Sequence, residues 1–396
     1  MKLPAQPWMD TAGGQRLLIA LGCGEDLTRL VGGTVRDGLL GIAHSDVDFA
    51  TRLHPDEVIR RLESSGIKAV PTGIAHGTIT AVASDLHAEI TTLRRDVSTD
   101  GRRATVAFTE DWREDASRRD FTINALYARP LTGEVDDFFG GLDDLSEGRV
   151  RFIGEPLQRI AEDHLRILRF FRFHARFGKG EPDRAALEAC AARANDLMAL
   201  SRERIRDELL KIVVMPNAEA TLRLMMAHGI LAPVLPEIEA ARLDDLAELA
   251  AREAAWGGEP SALRRLGALL PPRPELLRDL GARLRLSKRE AEHLAALGAR
   301  YHSVPSHPFA AAYWDGVDVA RDRLLLLGDE AKGAYATLAG WRKPALPIKG
   351  KDIIASGITA GPEVSRKLLA FERAWVAAGF PGDADAVEQL IASISG

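Results

Sequence analysis

The apolar pattern changes character once along this chain, and that change limits what it can fold into. Up to about residue 152, short strand-like runs alternate with helical stretches, at 27–31, 47–50, 78–83, 88–93 and 105–108. From about residue 155 such runs cease. Ala, Leu, Arg and Glu then recur at helical spacing, punctuated by Pro271-Pro272, Pro305 and Gly361-Pro362. Period two marks half-buried strands and period 3.6 marks amphipathic helices. The expected class is α+β, a mixed sheet with helices followed by an all-α remainder. At 396 residues the chain exceeds one ordinary core, so roughly two to four domains are expected.

Local signals refine this outline. His54-Pro55-Asp56-Glu57 opens a helix, with proline in the favoured first turn. Thr99-Asp100-Gly101-Arg102 is a turn signal in a polar stretch and predicts a mobile hairpin or loop. An apolar content of 46% with 28% charged residues describes a soluble globular chain, and no apolar run approaches the roughly 20 residues of a membrane span. Met1 to Asp10 lacks the charged start and apolar core of a secretory signal. The only cysteines, Cys23 and Cys190, fit a reducing compartment, so cytoplasm is expected, and they exclude a multi-cysteine zinc site. A net charge of −5 argues against general polyanion binding, leaving nucleic-acid contact to local basic stripes.

The chemistry begins at Leu30-Val31-Gly32-Gly33-Thr34-Val35-Arg36-Asp37, followed by Asp46-Val47-Asp48-Phe49. Glycines before a helix let backbone approach a phosphate. Carboxylates at i and i+2 of a strand share one face, so Asp46 and Asp48 can reach one metal. Magnesium prefers oxygen ligands and shares its shell with substrate phosphate. Glu89, in the strand-like run Ala88 to Arg94, is either a third carboxylate at that site or a solvated strand residue.

Further on, Ser117 is expected to cap a helix carrying Arg118 and Arg119 at its start, in Asp115-Ala116-Ser117-Arg118-Arg119-Asp120-Phe121-Thr122-Ile123-Asn124. Cations there oppose the helix dipole. A nearby triphosphate would explain them, as would a solvated charged turn. The stretch 155–177 reads as one helix whose apolar stripe is Leu157, Ile160, Ala161, Leu165, Leu168 and Phe171. Asp163 and Arg166 lie opposite that stripe, three apart, either as a surface ion pair or as a base-reading pair. Cytosine and adenine each present an amino donor beside an unprotonated ring nitrogen. One carboxylate and one guanidinium match that edge and leave guanine and uracil with unpaired polar groups. Residues 149–179 are locally basic, with Arg149, Arg151, Arg159, Arg166, Arg169, Arg172, Arg176 and Lys179. The helix of Arg202 to Glu208 fits either phosphate contact or internal salt bridging. His44, His87 and His164 have no zinc spacing, and histidine suits magnesium poorly.

These segments, in this order, resemble the class II tRNA nucleotidyltransferases of the polymerase-β superfamily. The resemblance is specific over about residues 25–215 and weaker onward through Lys349 to Ile354 and Gly357 to Pro362. It implies a nucleotidyltransferase head at 1–150 and a helical neck with the base template at 151–235. A body at 236–340 and a tail at 341–396 that hold the tRNA acceptor arm complete the implied plan. It implies two Mg2+ ions on Asp46 and Asp48, with Glu89 catalytic beside them. Nucleotide contacts are implied at Gly32, Gly33, Arg36, Arg118, Asp120, Asn124, Asp163, Arg166 and Arg169. Phe139-Gly140-Gly141-Leu142-Asp143-Asp144-Leu145 corresponds to the head-to-neck hinge. The implied reaction is template-independent addition of C, C and A to the 3′ end of tRNA from CTP and ATP.

Relatives separate on details. Thr72 to Thr80 lacks the basic and aromatic run of poly(A) polymerases, and the long polar stretch Arg95 to Trp112 favours full CCA over CC addition. Thr34 and His164 depart from the usual pattern without touching the chemistry. The rivals are an A-adding, CC-adding or poly(A)-adding relative, a non-catalytic tRNA-binding protein, and a D-x-D glycosyltransferase. Monomer and homodimer are both open.

Overall fold

A computed structural model describes residues 2–43, 47–83, 85–100 and 103–395. It divides into two compact units, Met1–Pro236 and Glu237–Gly396. The α+β expectation holds. All nine described strands lie in the first unit, and the second is helical.

A seven-stranded mixed sheet organises the first unit, in the order β3-β4-β5-β2-β1-β8-β9. Its strands are β1 Thr28–Val31, β2 Val47–Thr51, β3 Lys68–Gly73, β4 Thr78–Val82, β5 His87–Thr92, β8 Leu126–Ala128 and β9 Val135–Asp137. Strand β2 is central and pairs parallel with β5, while every other neighbour is antiparallel. A separate hairpin of β6 Arg94–Asp100 and β7 Arg103–Phe108 fills the stretch expected to turn at 99–102. Gly101 and Arg102 lie outside the described residues. The strand-like runs read from sequence correspond to β1, β2, β4, β5 and β7. Four others escaped the pattern, β6 among them, which falls in the polar stretch expected to be a hairpin or loop. Strand β3 is a half-exposed edge carrying Pro71, and β8 and β9 span three residues each.

Helices α1 Ala12–Ala20, α2 Gly33–Leu39, α3 Pro55–Ser64, α4 Trp112–Ser117 and α5 Gly141–Glu147 surround the sheet. Proline opens α3 as expected, with Val58 and Leu62 buried. At the start of α5, Asp137 accepts the N–H groups of Phe139, Gly140, Gly141 and Leu142 at 2.9–3.2 Å. Gly140 takes φ +78°, and a Cβ at Gly141 would meet the Thr122 carbonyl oxygen at 2.3 Å. One glycine is therefore required by conformation and the other by close approach.

Two sequence expectations fail here. Helix α4 ends at Ser117 instead of beginning there, so Arg118 and Arg119 follow a C-terminus, where the dipole favours cations. The stretch 155–177 is not one helix. Helix α6 Pro156–Glu162 stops at Asp163, with φ −156° and ψ 106°, and α7 Arg166–Phe177 begins in a new direction. The single stripe accordingly breaks: Leu157 is 46% exposed and Ala161 is exposed, whereas Ile160, Leu165, Leu168 and Phe171 are buried.

Helix α7 packs Phe170 and Phe173 against Phe121, with Phe152 stacked on Phe170 at 6.0 Å. Charged ties reinforce the contact. Arg169 pairs with Asp120, Arg176 with Asp37 at 3.0 Å, and Arg172 with buried Glu208 at 2.6 Å. Glu208 belongs to α9 Arg202–Val213, which follows α8 Arg184–Ala192 and precedes α10 Ala218–Ala227. Much of the basic excess at 149–179 is thus spent inside the fold.

The second unit holds helices α11 Arg242–Ala255, α12 Ala262–Ala268, α13 Pro274–Arg283, α14 Lys288–Leu297 and α15 Pro308–Asp315. After them come α16 Val317–Leu327, α17 Lys332–Thr337, α18 Gly350–Ala355, α19 Pro362–Ala377 and α20 Ala384–Ser395. One core gathers Leu249, Leu324, Leu325 and Tyr335, and another Tyr313, Ile353, Phe371 and Trp375. Buried Glu253 pairs with both Arg264 and Arg265, and Asp322 with Arg264 and His293. No helix among the described residues is long and apolar enough to cross a membrane.

Two expected outcomes follow from this packing. Replacing fully buried Phe170 with Ala should cost about 3–5 kcal/mol in denaturant unfolding, and Phe170→Leu considerably less. Burial alone would raise the Asp120 pKa, but the Arg169 guanidinium and the Asn124 amide reverse this and lower it from 3.8 to about 2. A carboxylate that titrates lower in the folded state stabilises fully above about pH 4 and loses that contribution as pH falls towards about 2. The stability gap between the parent chain and Asp120→Asn, about 2 kcal/mol at neutral pH, should therefore close on acidification. Denaturant midpoints measured across that range check it.

Candidate functional site

A cleft of about 580 Å³ opens in the first unit, between the sheet and the α6–α7 corner. Its near wall starts at β1, which runs into Gly32. That residue takes φ +63° and ψ −121° and turns the chain into α2, a conformation only glycine adopts readily. The Thr34 hydroxyl accepts the Asp48 N–H at 2.8 Å, so the departure from smaller residues at 34 fastens α2 to β2. Asp48 stands directly opposite Glu89 across the parallel β2–β5 pair, on the same face of the sheet. A Cβ at Gly33 would lie 4.0 Å from Asp48 Oδ2 and 3.7 Å from Arg36 Nη2. Asp46, the other member of the expected carboxylate pair, lies outside the described residues.

Arg36 is buried, with its guanidinium packed on Phe173 and Phe177 and bonded to Asp37 and Asn124. Asn124 in turn donates to Asp120 at 3.0 Å. Asp120 accepts from Arg169 on α7, so one chain of polar contacts runs from the glycine loop to the far wall. Arg118 and Arg119 enter from the end of α4, both paired with buried Asp115.

The far wall is the break between α6 and α7. Asp163 and Arg166 both line the cleft, but they do not pair with each other as helix neighbours. Asp163 Oδ2 accepts from Arg204 of α9 at 2.7 Å, and its Oδ1 accepts the Leu165 N–H at 3.2 Å. Arg166 bonds Glu162 and the Arg159 carbonyl. Each is fixed by a third party, so neither is a simple surface ion pair. The sequence placed Arg204 in a charged helix suited to phosphate contact or internal salt bridging, and Glu162 beside Asp163, but gave no sign that these two hold Asp163 and Arg166.

Among the described residues lining the cleft are eight arginines and only four carboxylates, Asp48, Glu89, Asp120 and Asp163. That imbalance suits a polyanion. Asp48, beside Gly33, and Glu89 on β5, opposite Asp48, supply oxygen donors of the kind a hard divalent cation prefers.

Comparison with known proteins gives this geometry a family. The Poly A polymerase head domain matches residues 28–151. A family described as a probable RNA and SrmB-binding site of polymerase A matches residues 181–242. The mitochondrial CCA tRNA nucleotidyltransferase 1 of Mus musculus is 35% identical over 371 residues, covering 90% of this chain and 84% of the relative. The CCA-adding enzyme of Lacticaseibacillus paracasei is 31% identical over 375 residues, with 89% of each chain covered. Among solved structures, the Bacillus stearothermophilus CCA-adding enzyme in complex with CTP superposes with a TM-score of 0.77 at 26% identity, over 97% of this chain and 98% of that one. The Thermotoga maritima CCA-adding enzyme complexed with tRNA shares the fold, with a TM-score of 0.66 at 22% identity over 98% of this chain and 97% of that one. This chain is a nucleotidyltransferase and belongs to the family of CCA-adding tRNA nucleotidyltransferases.

Proposed function

We propose that this chain adds C, C and A to the 3′ end of tRNA from CTP and ATP, with no nucleic-acid template. The observation that carries the reading is the shared cleft: the glycine loop, Asp48 and Glu89 form one wall, and Asp163 and Arg166 the other. The tRNA 3′-hydroxyl attacks the α-phosphate in line, the bond to the β-phosphate breaks, and pyrophosphate leaves. Positioning and charge supply the acceleration, with no covalent intermediate. Arg118 and Arg119 take the triphosphate, Asp120 and Asn124 brace the sugar side, and Gly32 and Gly33 admit it closely.

Asp46 and Asp48, with Glu89 alongside, would hold two Mg2+ ions through oxygen donors alone. Metal held there would lower the pKa of the attacking hydroxyl, easing loss of its proton, and would offset charge on the departing pyrophosphate. At the other wall, Asp163 accepts from the exocyclic amino group of C or A, and Arg166 donates to the adjacent ring nitrogen. Because Arg204 and Glu162 hold these two side chains in place, a carbonyl-bearing G or U edge leaves buried polar groups unpaired, at a cost of about 1–3 kcal/mol each.

We assign catalysis to residues 1–150, base reading and RNA contact to 151–235, and tRNA binding to 236–340 and 341–396. The two free, buried cysteines support a reducing compartment, which we take as cytoplasm.

A truncated tRNA, magnesium and labelled CTP and ATP test the reading, with the product sequenced. The expected product is CCA; a long oligo(A) tract or no incorporation would refute it. Asp48→Ala should lower incorporation by about 100-fold or more without changing tRNA affinity. Arg166→Ala should admit G and U or lose both correct bases. Unchanged base choice in that variant would remove Asp163 and Arg166 from the template.

A further inference from the structure

Arg118 and Arg119 are adjacent in sequence, alike in charge and long, so nothing intrinsic holds them at one place in the cleft. Asp115 and Tyr127 do this from behind. Asp115 is 1% exposed, and neither residue lines the cleft. Asp115 Oδ1 accepts from Arg118 Nη2 at 2.7 Å, from Arg118 Nε at 2.9 Å, and from the backbone N–H of Arg94 at 3.1 Å. Its Oδ2 accepts from Arg119 Nη2 at 3.0 Å and from the Tyr127 hydroxyl at 2.5 Å. The same hydroxyl accepts from Arg119 Nε at 3.0 Å, and the Arg119 guanidinium sits 5.3 Å from the Tyr127 ring centre. The ring is wedged edge-to-face against buried Trp112 at 5.6 Å. From the α6 side, Arg159 Nη2 bonds the carbonyls of both Arg118 and Arg119.

Within this cluster both guanidiniums are held through Nε and Nη2, and both arginines line the cleft. For Arg119 the remaining nitrogen, Nη1, lies beside the glycine loop: a Cβ at Gly32 would be 3.6 Å from it. Burial alone would raise the Asp115 pKa, but the two guanidiniums and the Tyr127 hydroxyl hold it well below the usual carboxylate range. The carboxylate therefore stays ionised and keeps both arginines fixed throughout the working pH range.

We infer that Asp115 and Tyr127 are positioning residues for the nucleotide. They fix the two arginine side chains before the triphosphate arrives, so that binding pays no cost of ordering them. The inference rests on the proposed role of Arg118 and Arg119 as triphosphate contacts.

Charge counting predicts the opposite result, which makes the test sharp. Asp115→Asn removes a negative charge behind the cleft, and bare electrostatics would tighten binding of an anion. Pre-positioning predicts weaker binding, because the guanidiniums are released from their common anchor. The experiment measures CTP and pyrophosphate affinity by calorimetry with magnesium, and KM and kcat on truncated tRNA, all with the full-length chain. Asp115→Asn should weaken CTP and pyrophosphate about tenfold and raise the nucleotide KM alike, with kcat and the tRNA KM moving much less. Tyr127→Phe keeps both ion pairs and the ring, so it folds even if Asp115→Asn does not, and should weaken CTP about threefold. Arg119→Ala separates the two levels of the argument. If Arg119→Ala leaves CTP affinity unchanged, the triphosphate assignment fails. If it weakens CTP while Tyr127→Phe leaves it unchanged and Asp115→Asn leaves it unchanged or tightens it, the positioning inference alone is overturned.

Discussion

The ion pair between Asp120 and Arg169 joins the two walls on which the site depends. Asp120 follows the arginines at the end of α4, while Arg169 lies one turn into α7, beyond the α6–α7 corner. Alone, the sheet offers a glycine loop and carboxylates, and the α6–α7 corner offers an acceptor and a donor for a base. Their joining, with the Phe121–Phe170–Phe173 packing beneath, makes a cleft that can hold both ends of one nucleotide. The Arg36–Asn124–Asp120 contacts extend the connection back to α2.

A cleft rich in arginine has to remain folded when no anion fills it. The structure meets this by giving most cationic side chains an internal carboxylate: Asp115 for Arg118 and Arg119, Glu162 for Arg166, Asp163 for Arg204, Glu208 for Arg172. Each carboxylate removes repulsion and fixes a direction. Buried pairs of this kind add little net stability over apolar packing, yet removing one partner is costly. Their return here is geometry, since fixed donors and acceptors discriminate among bases and phosphates where mobile ones would accommodate them.

Parts of this were legible in the residues and parts were not. Alternating runs located the β2 and β5 strands, and the order of motifs indicated the reaction. The end of α6 at Asp163 was not legible, because the apolar spacing through Leu165 and Leu168 continues a helical period across the break. Only packing of α7 against Phe121 and of Asp163 against Arg204 shows where the chain turns. The direction of α4 was misread for a related reason: Ser117 is a good cap residue, but its hydroxyl bonds back to the Glu114 carbonyl at a helix end.

By itself the sequence determined the local chemistry: glycines where backbone must turn, strand-like runs that carry Asp48 and Glu89, and a basic excess around 149–179. Those are properties of neighbouring residues, set by steric and periodic rules acting over a few positions. Tertiary structure decided which charges face the cleft and which are consumed inside the fold, because a partner such as Arg204 for Asp163 or Tyr127 for Arg119 is chosen by three-dimensional packing. Sequence distance carries no trace of that choice.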